Sequence, residues 1–310
     1  MADSKLSPIK PTPAENTHPQ VAHAPFHEPR VGADVVLRSS DAVDFYAHKV
    51  ILSLASPFFE EMFQLPQPAD NTSLPIIEVP EDATTVDFIL RTCYPFTPPS
   101  STSLIDARRA FEAALKYEMK AVQSLSEAGL KTFVKEDPLG VFVLGCRYER
   151  EDVCRAAAAC LLQHSLQSLE SEELRQVSAY QYHKLVQWHG RCCGAAFRVV
   201  FTRGWLEHYI SDEILSKTFC GSCLVPDKYS AQWYANQRLW DYFDRARDTL
   251  VHSPSGAAIT SDKVLHNWSN IYCPNHGRKD LSDGGRKISN LLAQEVDRVV
   301  AEIPIPKFCE

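Results

Sequence analysis

The 310-residue chain has room for about two domains, and its 45% hydrophobic and 23% charged composition excludes a wholly disordered chain, a collagen-like fibre and a small disulfide scaffold. A net charge of −7 has the wrong sign for a general nucleic-acid binder, which needs a basic surface to release phosphate counterions. Its longest apolar runs, such as residues 139–146, fall far short of the ~20 residues that cross a bilayer, and no apolar stretch follows Met1 to Lys5 as in a secretory signal. The expectation is therefore a cytoplasmic or nuclear protein with neither a membrane nor a nucleic acid as partner. In that reducing setting the ten cysteines read as core residues, metal ligands or reactive thiols, not as a disulfide framework.

Residues 1–30 hold six of the twenty prolines and few large apolar side chains, so they read as a disordered tail. Val35 to Leu37 and Val43 to Tyr46 are β-rich runs around the turn residues Ser39, Ser40 and Asp41, the pattern of a hairpin. A helix with Val50, Ile51 and Leu54 at helical spacing follows. Pro57 then opens a second, with Phe58, Phe59, Met62 and Phe63 on one face. Ile76 to Val79 reads as a short strand, and Asp82 or Thr84 caps the helix after it. Beyond Ser100 the chain reads as helical. Ser103 caps one helix, Asp137-Pro138 starts another, Glu151-Asp152 the next, and Ser171 to Glu173 opens a long one reaching Ala195. Gln232 to Leu250 and Ile288 to Val300 also have helical periodicity, with Gly284-Gly285 as a turn before the last.

Several of these residues fall in one familiar order. Asp34 to Leu37, Phe45-Tyr46-Ala47-His48-Lys49, Leu52 to Ser56, Pro57-Phe58-Phe59, Met62-Phe63 and then Ala114-Leu115-Lys116-Tyr117-Glu118-Met119 resemble a BTB/POZ domain over residues 31–135. The resemblance implies an α+β fold, a small mixed sheet capped by helices, followed here by a mainly α-helical second half. Residues 136–200 are similar to the helical, BACK-like extension of many members, with Pro138, Phe142, Cys146, Tyr148 and Ala156 at matching positions. The whole layout looks like fungal members that end in a Cys-rich helical tail, here residues 201–310.

The resemblance also implies a site. It places Asp34, His48 and Lys49 at a subunit interface, where an acidic first-strand residue and the basic residue after the His approach each other, and so implies a homodimer. The opposing reading is two solvated surface charges, worth ~0–1 kcal/mol as a pair. The strand and helix that obligate dimers swap correspond here to the Pro-rich tail, which is suited to neither. Cullin adaptors of the family carry a hydrophobic-x-Glu signal after the Phe-rich helix. Here that stretch is Gln64 to Pro68, with no Glu, so a cullin scaffold is the lesser partner.

In the tail, Cys220-Gly221-Ser222-Cys223 and Cys273-Pro274-Asn275-His276 are two knuckles able to supply the four ligands Cys220, Cys223, Cys273 and His276 of one structural Zn²⁺. Forty-nine residues separate Cys223 from Cys273, a long interval for such a site, and the alternative is four unrelated core or polar residues. His189 and Cys193 lie one helical turn apart, but Trp188, Cys192, Ala195 and Ala196 around them look like a packing face, and no orienting group for a thiol dyad is visible. Phosphate-loop, dinucleotide, hydrolase-elbow and zincin motifs are absent. The reading is a non-enzymatic scaffold or adaptor that binds protein partners. The alternatives are a cullin-type ubiquitin-ligase adaptor and, from another class, a zinc-dependent or thiol enzyme in the tail.

Overall fold

The computed structural model describes residues 20–30, 32–65, 74–97, 100–202, 205, 224–228, 230–265, 271–273, 277–279 and 282–310, with the backbone alone at 224, 227, 230–236, 271–273, 277–279 and 282–284. Two compact units divide the chain, Met1–Gly129 and Leu130–Glu310.

In the first unit, β2 (Val35–Arg38) and β3 (Val43–Ala47) form the expected hairpin. Its register sets Val35 opposite Ala47 and Leu37 opposite Phe45, so four apolar residues share the buried face. Ser39 closes the turn, its Oγ accepting the Val43 N–H at 3.0 Å. The sheet is mixed, in the order β1-β3-β2-β4, with β1 (Gln20–Val21) parallel to β3 and β4 (Ile76–Glu78) parallel to β2. Between these strands the chain forms α1 (Lys49–Ala55) and α2 (Pro57–Gln64). Ser56 explains the Ser-Pro-x-Phe element. Its buried Oγ accepts the Phe59 N–H at 3.1 Å, capping α2, and donates to the Tyr117 carbonyl at 2.6 Å, while Pro57 occupies the first turn. Asp82 caps α3 (Ala83–Cys93), whose Val86, Ile89 and Leu90 join the sheet core, and Ser103 caps α4 (Leu104–Lys116). α5 (Lys120–Thr132) runs across the boundary between the units.

The second unit is built around α6 (Pro138–Arg147), capped by Asp137 and buried on every side from Pro138 to Cys146. α7 (Glu151–Leu161) packs closely on it. A Cβ at Gly145 would stand 2.7 Å from Cys154 Sγ and 2.9 Å from its backbone nitrogen, so only glycine permits this approach. α8 (Ala179–Thr202) packs against α9 (Gln237–Leu250) and α12 (Ser282–Ala301). The short helices α10 (Gly256–Ile259) and α11 (Asp262–Leu265) lie between α9 and α12 in sequence.

Four expectations need correction. Residues 20–30 are not tail: Gln20 donates to the Ala42 carbonyl at 2.8 Å, and Phe26, only 2% exposed, sits among Phe45, Tyr94 and Phe96. One aromatic ring supplies the burial that the Pro-rich composition seemed to lack. No long helix starts at Ser171. Glu172–Gln176 is a separate 3-10 turn, Val177 is extended, and Ser178 Oγ accepts the Gln181 N–H at 3.1 Å to start α8. Residues 232–236 belong to a strand, because β5 (Leu224–Asp227) pairs with β6 (Ser230–Asn236) before α9 begins. A second small ladder joins β7 (Ile271–Cys273) to β8 (Gly277–Lys279). Gly284 and Gly285 lie inside the first turn of α12, not before it.

Candidate interaction surface

A seven-residue helix is too short to hold itself in water, so α1 depends on its surroundings. His48 stands at its N-cap, yet its side chain does not cap. Asp34, arriving from the start of β2, accepts the Lys49 backbone N–H at 2.7 Å and satisfies one of the orphan donors instead. Tyr94 fixes His48: its hydroxyl accepts the His48 N–H at 2.8 Å and lies 2.9 Å from Nδ1. Burial pushes the Tyr94 hydroxyl up to about 12, so it stays protonated. Leu52, fully buried, anchors the inner side of the helix.

The outer side is different. Val50 is 63% exposed and Leu54 85% exposed, one helical turn apart. Phe58, in the first turn of α2, is 40% exposed and lies against Tyr117 and Phe59. Among the apolar residues of the hairpin and of α1 and α2, Phe45, Leu52 and Phe59 are buried, Phe63 is half-buried and Phe58 faces outward.

The structure brings Asp34, His48 and Lys49 together, but the contact between Asp34 and Lys49 is carboxylate to backbone amide. The Lys49 ammonium lies 5.7 Å from the centroid of the Phe63 ring, a cation–π placement. Sequence reasoning missed Tyr94, whose partner lies 46 positions earlier, and the outward turn of Val50 and Leu54. Apolar spacing locates a helix face but does not say which protein covers it.

In the second unit, His189 and Cys193 do meet. Nδ1 lies 3.5 Å from Sγ, and Nε2 is 3.2 Å from the His164 carbonyl, the orienting group the sequence did not reveal. Burial pulls His189 below its ordinary range and pushes the Cys193 thiol up to about 11. Both shifts favour the neutral forms, opposite to what an ion-paired nucleophile needs. Of the expected zinc ligands, Cys220, Cys223 and His276 lie outside the described residues, and Cys273 ends β7 with only its backbone described. Among the described residues, no group of three or more His, Cys, Asp or Glu could hold a metal ion. No helix among them is long and apolar enough to cross a membrane.

The family model of the BTB/POZ domain matches residues 25–133. The match takes in Phe26 and the hairpin, and ends at the 3-10 turn Phe133–Lys135 after α5. This domain is a protein–protein interaction module. No curated protein matches the chain.

Proposed function

We propose that the chain is a non-enzymatic scaffold or adaptor whose BTB/POZ domain self-associates through the outer face of α1. The observation that carries this is the exposure of Val50 and Leu54 on a helix whose other side is fully anchored. Burying a Leu or Val side chain stabilises by about 1.5–3 kcal/mol, so a partner covering both gains several kcal/mol before association costs. Asp34 and Lys49 at the N-terminus of α1 give the apolar centre a charged rim, which favours register and specificity over affinity. In a two-fold dimer the same face serves both subunits, so one patch is sufficient.

Sedimentation velocity on the full chain tests this. The wild type is expected to shift from monomer to dimer as concentration rises, and Leu54→Glu to remain monomeric with an unchanged circular dichroism spectrum. A wild type that stays monomeric, or a Leu54→Glu variant that dimerises as well as the wild type, overturns the proposal.

A further inference from the structure

After α12 the chain leaves helical structure, and residues 304–310 are held by an unusually complete set of contacts. Phe308 is fully buried, edge-on to Phe142 with ring centroids 4.9 Å apart and edge-on to Trp188 at 6.4 Å. The backbone N–H groups of Phe308 and Cys309 both donate to Glu151 Oε2, at 3.0 and 3.1 Å, where α7 begins. Lys184 Nζ donates to the carbonyls of Lys307 at 3.0 Å and Glu310 at 2.6 Å. These contacts bring Cys309 beside Cys154 on α7 while leaving it outside helix and strand. Its Sγ lies 3.7 Å from Cys154 Sγ, which in turn lies 3.7 Å from Cys146 Sγ.

We propose that Cys309 and Cys154 are an oxidant-sensitive thiol pair, in which peroxide oxidises Cys309 and Cys154 then closes a disulfide that fastens residues 304–310 to α7. Access selects the first thiol: Cys146 and Cys154 are buried, whereas Cys309 is partly exposed. Freedom to move selects the partner. Bond formation requires the sulfurs to close from 3.7 Å to about 2.05 Å. Cys146 and Cys154 sit on two helices already at closest approach across Gly145, while Cys309 sits on an irregular segment that can shift toward a fixed Cys154.

The chemistry balances with hydrogen peroxide as oxidant. The Cys309 thiolate attacks one peroxide oxygen, the O–O bond breaks and hydroxide leaves, giving a sulfenic acid. The Cys154 sulfur, losing its proton, then displaces the sulfenyl hydroxide, and the S–S bond forms. Two thiols and one peroxide give one disulfide and two waters. Burial pushes the Cys309 thiol up to about 11, with Glu151 and Cys146 adding to that rise and the hydrogen bond from Cys154 opposing it. Thiolate is therefore scarce at neutral pH, and the reaction is slow and needs excess peroxide.

The test uses the full, reduced chain. It is treated with excess hydrogen peroxide, its remaining thiols are alkylated, and it is digested without reduction and mapped by mass spectrometry. The expected product is a linked pair of peptides joining Cys154 to Cys309 in most chains, abolished by dithiothreitol and absent from Cys309→Ser. Because the closed loop is long, the melting temperature of the oxidised wild type is expected to rise by about 5 °C or more and to return on reduction. A Cys146–Cys154 link, or Cys309 recovered as sulfinic or sulfonic acid without a link, overturns the pairing. A Cys154–Cys309 link that leaves the melting temperature unchanged overturns the fastening.

Discussion

Leu54, on α1, and Phe308, in the irregular segment after α12, are both large apolar side chains, yet the first is 85% exposed and the second fully buried. The first unit packs α3 and α4 on its mixed sheet but leaves the outer face of α1 uncovered. In the second unit, the aromatic pocket formed by Phe142 and Trp188 is filled by the chain's own residues 304–310. The lesson is that equal hydrophobicity does not mean an equal role. An apolar group covered from within holds a unit together, and one left on an anchored helix is available to a partner.

The units also share a device. α4 and α6 each end in Tyr-Glu with the Glu in the left-handed region, Glu118 at φ 54° and Glu149 at φ 56°. In each case the following residue donates back into the helix, Met119 to Ala114 O at 2.9 Å and Arg150 to Gly145 O at 2.8 Å. This is the cap usually built on glycine, so both units carry the same backbone strain at the same kind of helix end.

Three measurements sharpen or break this comparison. The largest effect is on packing: in denaturant unfolding at concentrations where the chain is monomeric, Phe308→Ala is expected to cost about 3–5 kcal/mol, whereas Leu54→Ala stays within about 0.5 kcal/mol of wild type. Equal losses would erase the distinction between covered and uncovered surface.

The next effect is on pH. Burial lowers His189 below the 6.5 of a free imidazole, so below that value the unfolded chain binds the proton more readily than the folded one. Stability from His189 is fully present above about pH 6.5 and is lost as pH falls through 6.5 toward the folded value. Urea titrations from neutral to mildly acidic pH should show the second unit weakening, with a slope shallower by up to one proton in His189→Gln. A dependence unaltered by that substitution would remove His189 as its source.

The smallest effect lies in the shared caps. Glu118→Gly and Glu149→Gly are each expected to stabilise by about 0.5–1 kcal/mol, because glycine adopts the left-handed conformation without penalty. A gain in one unit only would mean that the two caps are not equivalent.

Much of the fold was legible because its determinants are local. Ser103 and Asp137 cap helices from within three residues, and the Val35–Ala47 hairpin follows from its turn residues. What was not legible depends on distant contacts. Phe26 is buried in a Pro-rich stretch because Tyr94 and Phe96 come to meet it. Residues 304–310 have no periodicity at all, and only the folded α6 and α8 turn Phe308 into core. At the candidate surface, Asp34 and Lys49 meet within the chain through the Lys49 backbone amide, an acceptor role for Asp34 that cannot be read from side-chain charge.

The most direct test of the central claim compares Leu54 with aliphatic side chains of similar type that the account leaves free. Hydroxyl-radical footprinting of the full chain at low and high concentration reports side-chain accessibility residue by residue. Val50 and Leu54 are expected to lose labelling as concentration rises, while Val21 and Ile76, 53% and 50% exposed on the edge strands β1 and β4, keep theirs. Labelling of Leu54 that does not change with concentration, or protection that falls on Val21 and Ile76 instead, would contradict self-association through α1.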